Sequence, residues 1–244
     1  MKRVIEVCAN SALSCVEAEA GGAVRAELCA GIPQGGTTPS YGEMVTARAR
    51  TSSLRIHAII RPRGGDFLYT EAEIEAMLAD IRLCREAGMD GIATGCLTQE
   101  GEIDTGLLHR LREASGELSF TFHRAFDACR DPFAALEQLI EAGCHRVLTS
   151  GGAPTAEEGC PLIAELIKQS AGRIRIMPGS GIRPDNIARI EAATGATEFH
   201  ASARRAVPSR MRYDSSPVPV SYEWDQTDRQ LVRRLVDPAF HALF

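Results

Sequence analysis

Apolar positions along the chain fall into eight short runs, at 3–9 (RVIEVCA), 23–29 (AVRAELC), 54–62 (LRIHAIIRP), 91–97 (GIATGCL), 118–125 (LSFTFHRA), 146–150 (RVLTS), 173–179 (RIRIMPG) and 197–203 (TEFHASA). Their length and content of branched and aromatic residues predict strands. Amphipathic segments with helix-start signals separate them. Thr70-Glu71-Ala72-Glu73 has the form of a capping box, and Asp131-Pro132 offers an N-cap followed by proline at the first helical position. Ala20-Gly21, Ala87-Gly88 and Ala142-Gly143 read as helix ends, where glycine permits a left-handed residue. Eight strand–helix units in 244 residues predict a single-domain α/β fold, a (β/α)8 TIM barrel, over 1–205. The remainder, 206–244, reads as an extension packed on the barrel or on a partner subunit. Residues 206–225 are rich in Pro and Ser, which predicts an irregular tail, and a last helix is expected near 226–236.

In a barrel, alternate residues of each strand face the helix layer and the lumen. Alternation assigns Ile5, Val7, Leu28, Ile60, Phe120, Phe122 and Phe199 to the helix layer. It assigns Glu6 and Cys8, Glu27 and Cys29, Thr121 and His123, and His200 and Ser202 to the lumen. His57, Ile59, Arg61 and Arg63 join them if the third strand stays regular up to Pro62. Charged groups in a lumen need partners. The expected partners of Glu6 and Glu27 are Arg61, Arg63 or a histidine. Arg124 and Asp127 fall at the end of the fifth strand and in its loop, where charge stays wet.

Composition narrows the classes. A net charge of -5 argues against a nucleic-acid or anionic-membrane binder, since either needs a basic surface. No apolar run approaches membrane-span length, and Glu6 interrupts the apolar stretch after the basic N-terminus, so the expected location is the cytoplasm. The eight cysteines are scattered and include no CxxC pair, which fits reduced thiols better than a disulfide framework.

Three kinds of chemistry are then open at the C-terminal ends of the strands, where barrel enzymes keep their sites. Glu6, Glu27, Arg61 and His123 are candidate catalytic groups, because carboxylates sharing one pocket are driven to different pKa values and an arginine stabilises developing charge. Arg63, Gly179, Gly181 and Ser202 are candidate anion contacts. The MPGSGIRPDNI turn (177–187) lets backbone approach a ligand ahead of a helix expected to begin near Pro184. Cys8 and Cys29 end adjacent strands on one parity and are candidate ligands of a soft ion, Cu(I).

The strings ELCAG and GGTTPSYG within 27–42, IIRPRGGDFLYT (59–70), TFHRAFD (121–127), RVLTSG (146–151) and TEFHASAR (197–204) closely resemble the CutC copper-homeostasis family, over about 5–204. The resemblance implies a barrel, a cytoplasmic setting, a part in copper handling with Cu(I) on Cys8 and Cys29, and a homodimer. A lumen carrying two glutamates, arginines and an anion-ready turn instead suits an enzyme acting on a small anionic ligand, phosphorylated or sugar-like. Both expectations stand on the sequence.

Overall fold

The computed structural model describes residues 3–213 and 222–237. Eight parallel strands, β1 (Val4–Ala9), β2 (Arg25–Leu28), β3 (Arg55–Ile59), β4 (Gly91–Thr94), β5 (Ser119–Phe122), β6 (Arg146–Thr149), β7 (Arg175–Pro178) and β8 (Glu198–Ala201), lie in the order β7-β6-β5-β4-β3-β2-β1-β8. β7 and β8 sit side by side across the remaining seam, so the sheet is a nearly closed (β/α)8 barrel. Each strand is shorter than its apolar run, although flanking residues such as Cys29, Ile60 and His123 still donate to the neighbouring strand.

The residues that alternation sends outward, Ile5, Val7, Leu28, Ile60, Phe120, Phe122 and Phe199, are fully buried in the layer between sheet and helices. A second, small apolar cluster of Cys29, Ile59 and Ala93, flanked by Cys8 and Ile32, lies apart from that core. These residues share the inward parity of their strands, and with Ile32 they line the upper lumen.

Helix boundaries follow local chemistry. In α3 (Glu71–Glu86) the Thr70 hydroxyl accepts from the Glu73 amide, and the Glu73 carboxylate accepts from the Thr70 amide. In α5 (Pro132–Glu141) the Asp131 carboxylate accepts from the amides of Phe133 and Ala134. The Ala20-Gly21 end differs from expectation. Gly21 is right-handed (φ -80°), and the left-handed residue is Gly22 (φ 91°). Gly21 is needed for space: a Cβ there would stand 2.5 Å from the Val232 Cβ. That contact seats α8 (Arg229–Val236) on α1 (Ala12–Ala20), with Val232 and Leu235 buried and Arg229 paired with Glu17.

The stretch expected to be irregular carries an antiparallel ribbon, β9 (Arg204–Pro208) with β10 (Glu223–Thr227). The Asp228 amide donates to the Ala203 carbonyl, so the ribbon delivers the chain directly into α8. Most of the terminal VDPAFHALF segment lies outside the described residues.

Candidate functional site

The inward residues form two tiers. In the lower tier Glu6, on β1, pairs with Arg25, on β2. Arg25 reaches Glu198, on β8, at 2.8 Å, and Glu198 pairs with Arg146, on β6, at 3.2 Å. Arg146 also donates to the Ser119 hydroxyl at 2.8 Å. Every charge in this tier therefore has an opposite neighbour. The expectation that Arg61 or Arg63 would neutralise Glu6 is corrected: the partner is Arg25, together with His200. Arg25 shares a face with Glu27, so alternation contained the signal. His57 lies beside this tier with its Nδ1 unpartnered, and burial holds its imidazole neutral by pushing the pKa down to about 3.

The upper tier opens into a cavity of about 190 Å³ at the C-terminal ends of the strands. Cys8, Glu27 and His200 form one wall. Arg61, Phe67, His123 and Arg124 form the other, with Arg204 at the rim. The Cys8 and Cys29 sulfurs are 3.7 Å apart. A His200 ring nitrogen, a Glu27 carboxylate oxygen and the Cys8 sulfur all lie within 4.8 Å of one another. The His200 Nδ1 is 2.7 Å from the Glu6 Oε1, and its Nε2 is 3.9 Å from the Glu27 Oε2.

Burial and neighbours set the charge states. Burial pushes the Glu27 pKa up to about 8, with His200 opposing and the Glu6 charge adding to the rise. Its Oε1 has no hydrogen-bond partner. For His200, burial disfavours the cation, but Glu27, Cys8 and Glu6 outweigh it and hold the imidazole well above the usual range. The hydrogen bond from Cys29 holds the Cys8 thiol well below its usual range, burial opposes it, and His200 reinforces it. Cys29, as the donor of that pair and itself buried, is pushed up. Burial and neighbours thus favour the thiolate at Cys8 and the imidazolium at His200, and disfavour the carboxylate at Glu27.

On the facing wall, Arg61 is 5 % exposed and has no carboxylate partner among the described residues. Its guanidinium donates to the carbonyls of Gln34 (2.8 Å), Gly36 (3.2 Å) and Gly65 (2.6 Å), and its Nε is unpartnered. The plane lies over Phe67, 4.9 Å from the ring centroid. His123, also 5 % exposed, accepts from the Ala125 amide at Nδ1, which places its proton on the unpartnered Nε2. Burial, followed by the charges of Arg61 and Arg124, lowers its pKa to about 3.

Asp127 closes TFHRAFD by gathering the TSGG loop. Its carboxylate accepts from the Thr149 hydroxyl, the Ser150 amide and hydroxyl and the Gly152 amide, and pairs with Arg124 at 2.8 Å. Arg124 also donates to the Ser150 hydroxyl, which fixes it at the mouth.

The structure therefore brings together Glu6, Cys8, Glu27, Cys29 and His200, with Arg61 and His123 opposite. Arg63 is a correction. β3 ends at Ile59, so alternation does not continue to Arg63, which lies outside, bound to Glu73 (2.5 Å) and Asp66 (2.9 Å). Gly179, Gly181 and Ser202 do not line the cavity. The Gly179 amide is used by the Thr149 carbonyl and the Arg183 amide by Asn186. The following helix, α7 (Ile187–Thr194), begins three residues later than expected. Gly179 serves close packing instead: a Cβ there would meet Leu148 at 2.4 Å and His200 at 3.3 Å. Arg204 also lines the cavity, 3.8 Å from Asp225, while the next residue, Arg205, is exposed and pairs with Asp228.

Residues 3–205 match the CutC family model. A CutC family protein of Parabacteroides distasonis is 61 % identical over 243 residues, covering 97 % of this chain and all of that protein. Among solved structures, the "Putative Copper Homeostasis Protein CutC" of Streptococcus agalactiae is 32 % identical with a TM-score of 0.79, over 82 % of this chain and 98 % of that one. A thiamine phosphate pyrophosphorylase of Pyrococcus furiosus, 14 % identical with a TM-score of 0.60 over 99 % of this chain and 97 % of its own, shares the barrel fold. By the family match and by identity over nearly its whole length, the chain belongs to the CutC family.

Proposed function

We propose that this CutC protein is a barrel enzyme whose mouth binds a small anionic metabolite. The observation that supports it is Arg61: a guanidinium almost wholly buried, held by three carbonyls, with no counter-ion among the described residues and an unpartnered Nε, in a residue that lines the cavity. A buried charge without a partner is costly, and an anionic ligand supplies the partner. Arg124 and Arg204 extend the positive lining. Glu27, as a neutral carboxyl group, and His123, through its Nε2 proton, are hydrogen-bond donors and acid–base groups for the bound molecule. The eight free cysteines suit a reducing, cytoplasmic setting.

Thermal shift and calorimetry with inorganic phosphate and malonate test this reading. The expected result is stabilisation of the wild type that Arg61→Met abolishes and Arg63→Met preserves. Full stabilisation of the Arg61→Met variant would refute it.

A second reading, Cu(I) as cargo, is favoured by the sulfur pair and by the proximity of Cys8, Glu27 and His200. Sulfurs bound to one ion at about 2.3 Å each stand no more than ~4.6 Å apart, and the observed 3.7 Å is compatible with that. Thiolate and imidazole are suitable donors for Cu(I), while the surrounding arginines oppose a cation. Anaerobic Cu(I) titration against a competing chelator decides it. Tight one-site binding lost in Cys8→Ser/Cys29→Ser supports cargo binding, and unchanged affinity in that double variant removes it.

A further inference from the structure

Of the eight cysteines, Cys8 is the only one among those lining the cavity; Cys29 lies just beneath it, 1 % exposed. A His200 ring nitrogen lies within 4.8 Å of the Cys8 sulfur, and the His200 Nδ1 is 2.7 Å from the Glu6 Oε1. Glu6 is in turn fixed by Arg25 in the lower tier. A nucleophile, a base within reach and a carboxylate orienting that base form the arrangement that generates a reactive thiolate on unrelated folds. Two residues that line the same cavity keep a buried N–H without a hydrogen-bond partner, Arg61 at Nε and His123 at Nε2.

We infer that Cys8 is a catalytic nucleophile, with His200 as its acid–base partner and Glu6 as the positioning residue, in acyl transfer from a small ester, thioester or amide carrying a carboxylate or phosphate. The inference rests on the anion-binding reading for its substrate class, and on the Cys8–His200–Glu6 geometry for its chemistry. The Cys8 thiolate, whose proton stands on His200, forms the C–S bond. The carbonyl π pair moves onto oxygen, where the Arg61 and His123 N–H groups receive it. The C=O re-forms, the bond to the leaving group breaks, and the leaving group takes the proton from His200. Water then yields a proton to His200 and attacks the thioester. The sulfur departs as the thiolate while the proton taken from water stays on His200, so one water is consumed and a free acid is released.

Two probes test this on the intact protein. Iodoacetate and iodoacetamide, whose iodide is displaced by a thiolate, are applied separately, with glutathione as reference and peptide mapping as readout. 4-Nitrophenyl hemisuccinate, an anionic ester, is quenched early and mapped in the same way. Alkylation at Cys8 about tenfold or more faster than at the other cysteines is expected, with the iodoacetate-to-iodoacetamide ratio above that of glutathione. His200→Gln should lower the Cys8 rate about tenfold or more, and the ester should leave an acyl group on Cys8. Cys29→Ser should remain reactive at Cys8.

Cys8 no faster than glutathione toward either reagent, in a wild type that still binds phosphate or malonate, overturns the nucleophile and leaves the anion site standing. A fast, His200-dependent Cys8 with the glutathione ratio overturns the anionic substrate class. Alkylation of Cys8 without acylation by the ester overturns the acyl-transfer step.

Discussion

The two tiers of the lumen are built from the same residue types within one barrel, yet they resolve their charges in opposite ways. In the lower tier Glu6, Arg25, Glu198 and Arg146 neutralise one another. In the upper tier Arg61 is steadied by carbonyl dipoles and the Phe67 ring, His123 is held neutral with its Nε2 idle, and Glu27 keeps an unpartnered oxygen. A compensated charge cluster holds a fold in register, while an uncompensated one beside a cavity is arranged for something that arrives from outside. The tiers meet at Glu6, which belongs to the lower network through Arg25 and to the mouth through His200.

The sharpest way to break this contrast is to remove the centre of the lower tier. Arg25→Met removes the guanidinium shared by Glu6 and Glu198, leaving Glu6 only His200 and Glu198 only Arg146 among the described residues, and urea denaturation should show a loss of about 3–5 kcal/mol.

The next effect is a pH dependence at Glu27. Its pKa is near 8 in the fold against an ordinary carboxyl value, so the folded state retains a proton that the unfolded chain gives up. Its contribution is present below the unfolded pKa and is lost as pH rises toward 8. Glu27→Gln should therefore gain on the wild type by about 2–3 kcal/mol between pH 5 and pH 7 in paired denaturation curves. A gain in the opposite direction would mean that Glu27 is ionised in the fold.

His57 carries the reverse sign. Its folded pKa, near 3, lies below the unfolded value, so its contribution is present above the unfolded pKa and is lost as pH falls. The stability cost of His57→Gln should shrink by about 2 kcal/mol between pH 7 and pH 5. A cost independent of pH would show that His57 is charged within the barrel.

The smallest expected stability change is at the mouth. Arg61→Met should cost only about 1 kcal/mol, because its partners are carbonyls close to the cavity rather than buried carboxylates. The same variant loses anion binding, so stability and ligand affinity separate there as they do not at Arg25. A loss at Arg61 as large as that at Arg25 would erase the distinction between the tiers.

Alternation along the strands made the helix layer and much of the lumen legible. Ile5, Val7, Phe120 and Phe199 had to face outward, and Glu6, Cys8, Glu27 and His200 inward, since a one-residue change of phase would bury the charges against the helices. The same rule failed at Arg63, because it holds only while the backbone stays extended and β3 stops at Ile59. The Gly179–Gly181 turn resembled an anion cradle, but its local sequence gives no sign that Thr149 and Asn186 take up its amides. Arg204 was hidden for a related reason. Ala203 before it is left-handed (φ 42°), which redirects the chain at the end of β8.

What the sequence determined by itself is the period-two pattern, the helix caps and hence the barrel, because these follow from neighbours a few residues apart. Which charge meets which was decided only in three dimensions. Glu6 and His200 are 194 positions apart, Arg25 and Glu198 are 173, and the Arg61 guanidinium is held by carbonyls from two separate loops. Partnering at that range depends on strand register and loop path. It determines whether a buried ionisable group is structural or is left free to act.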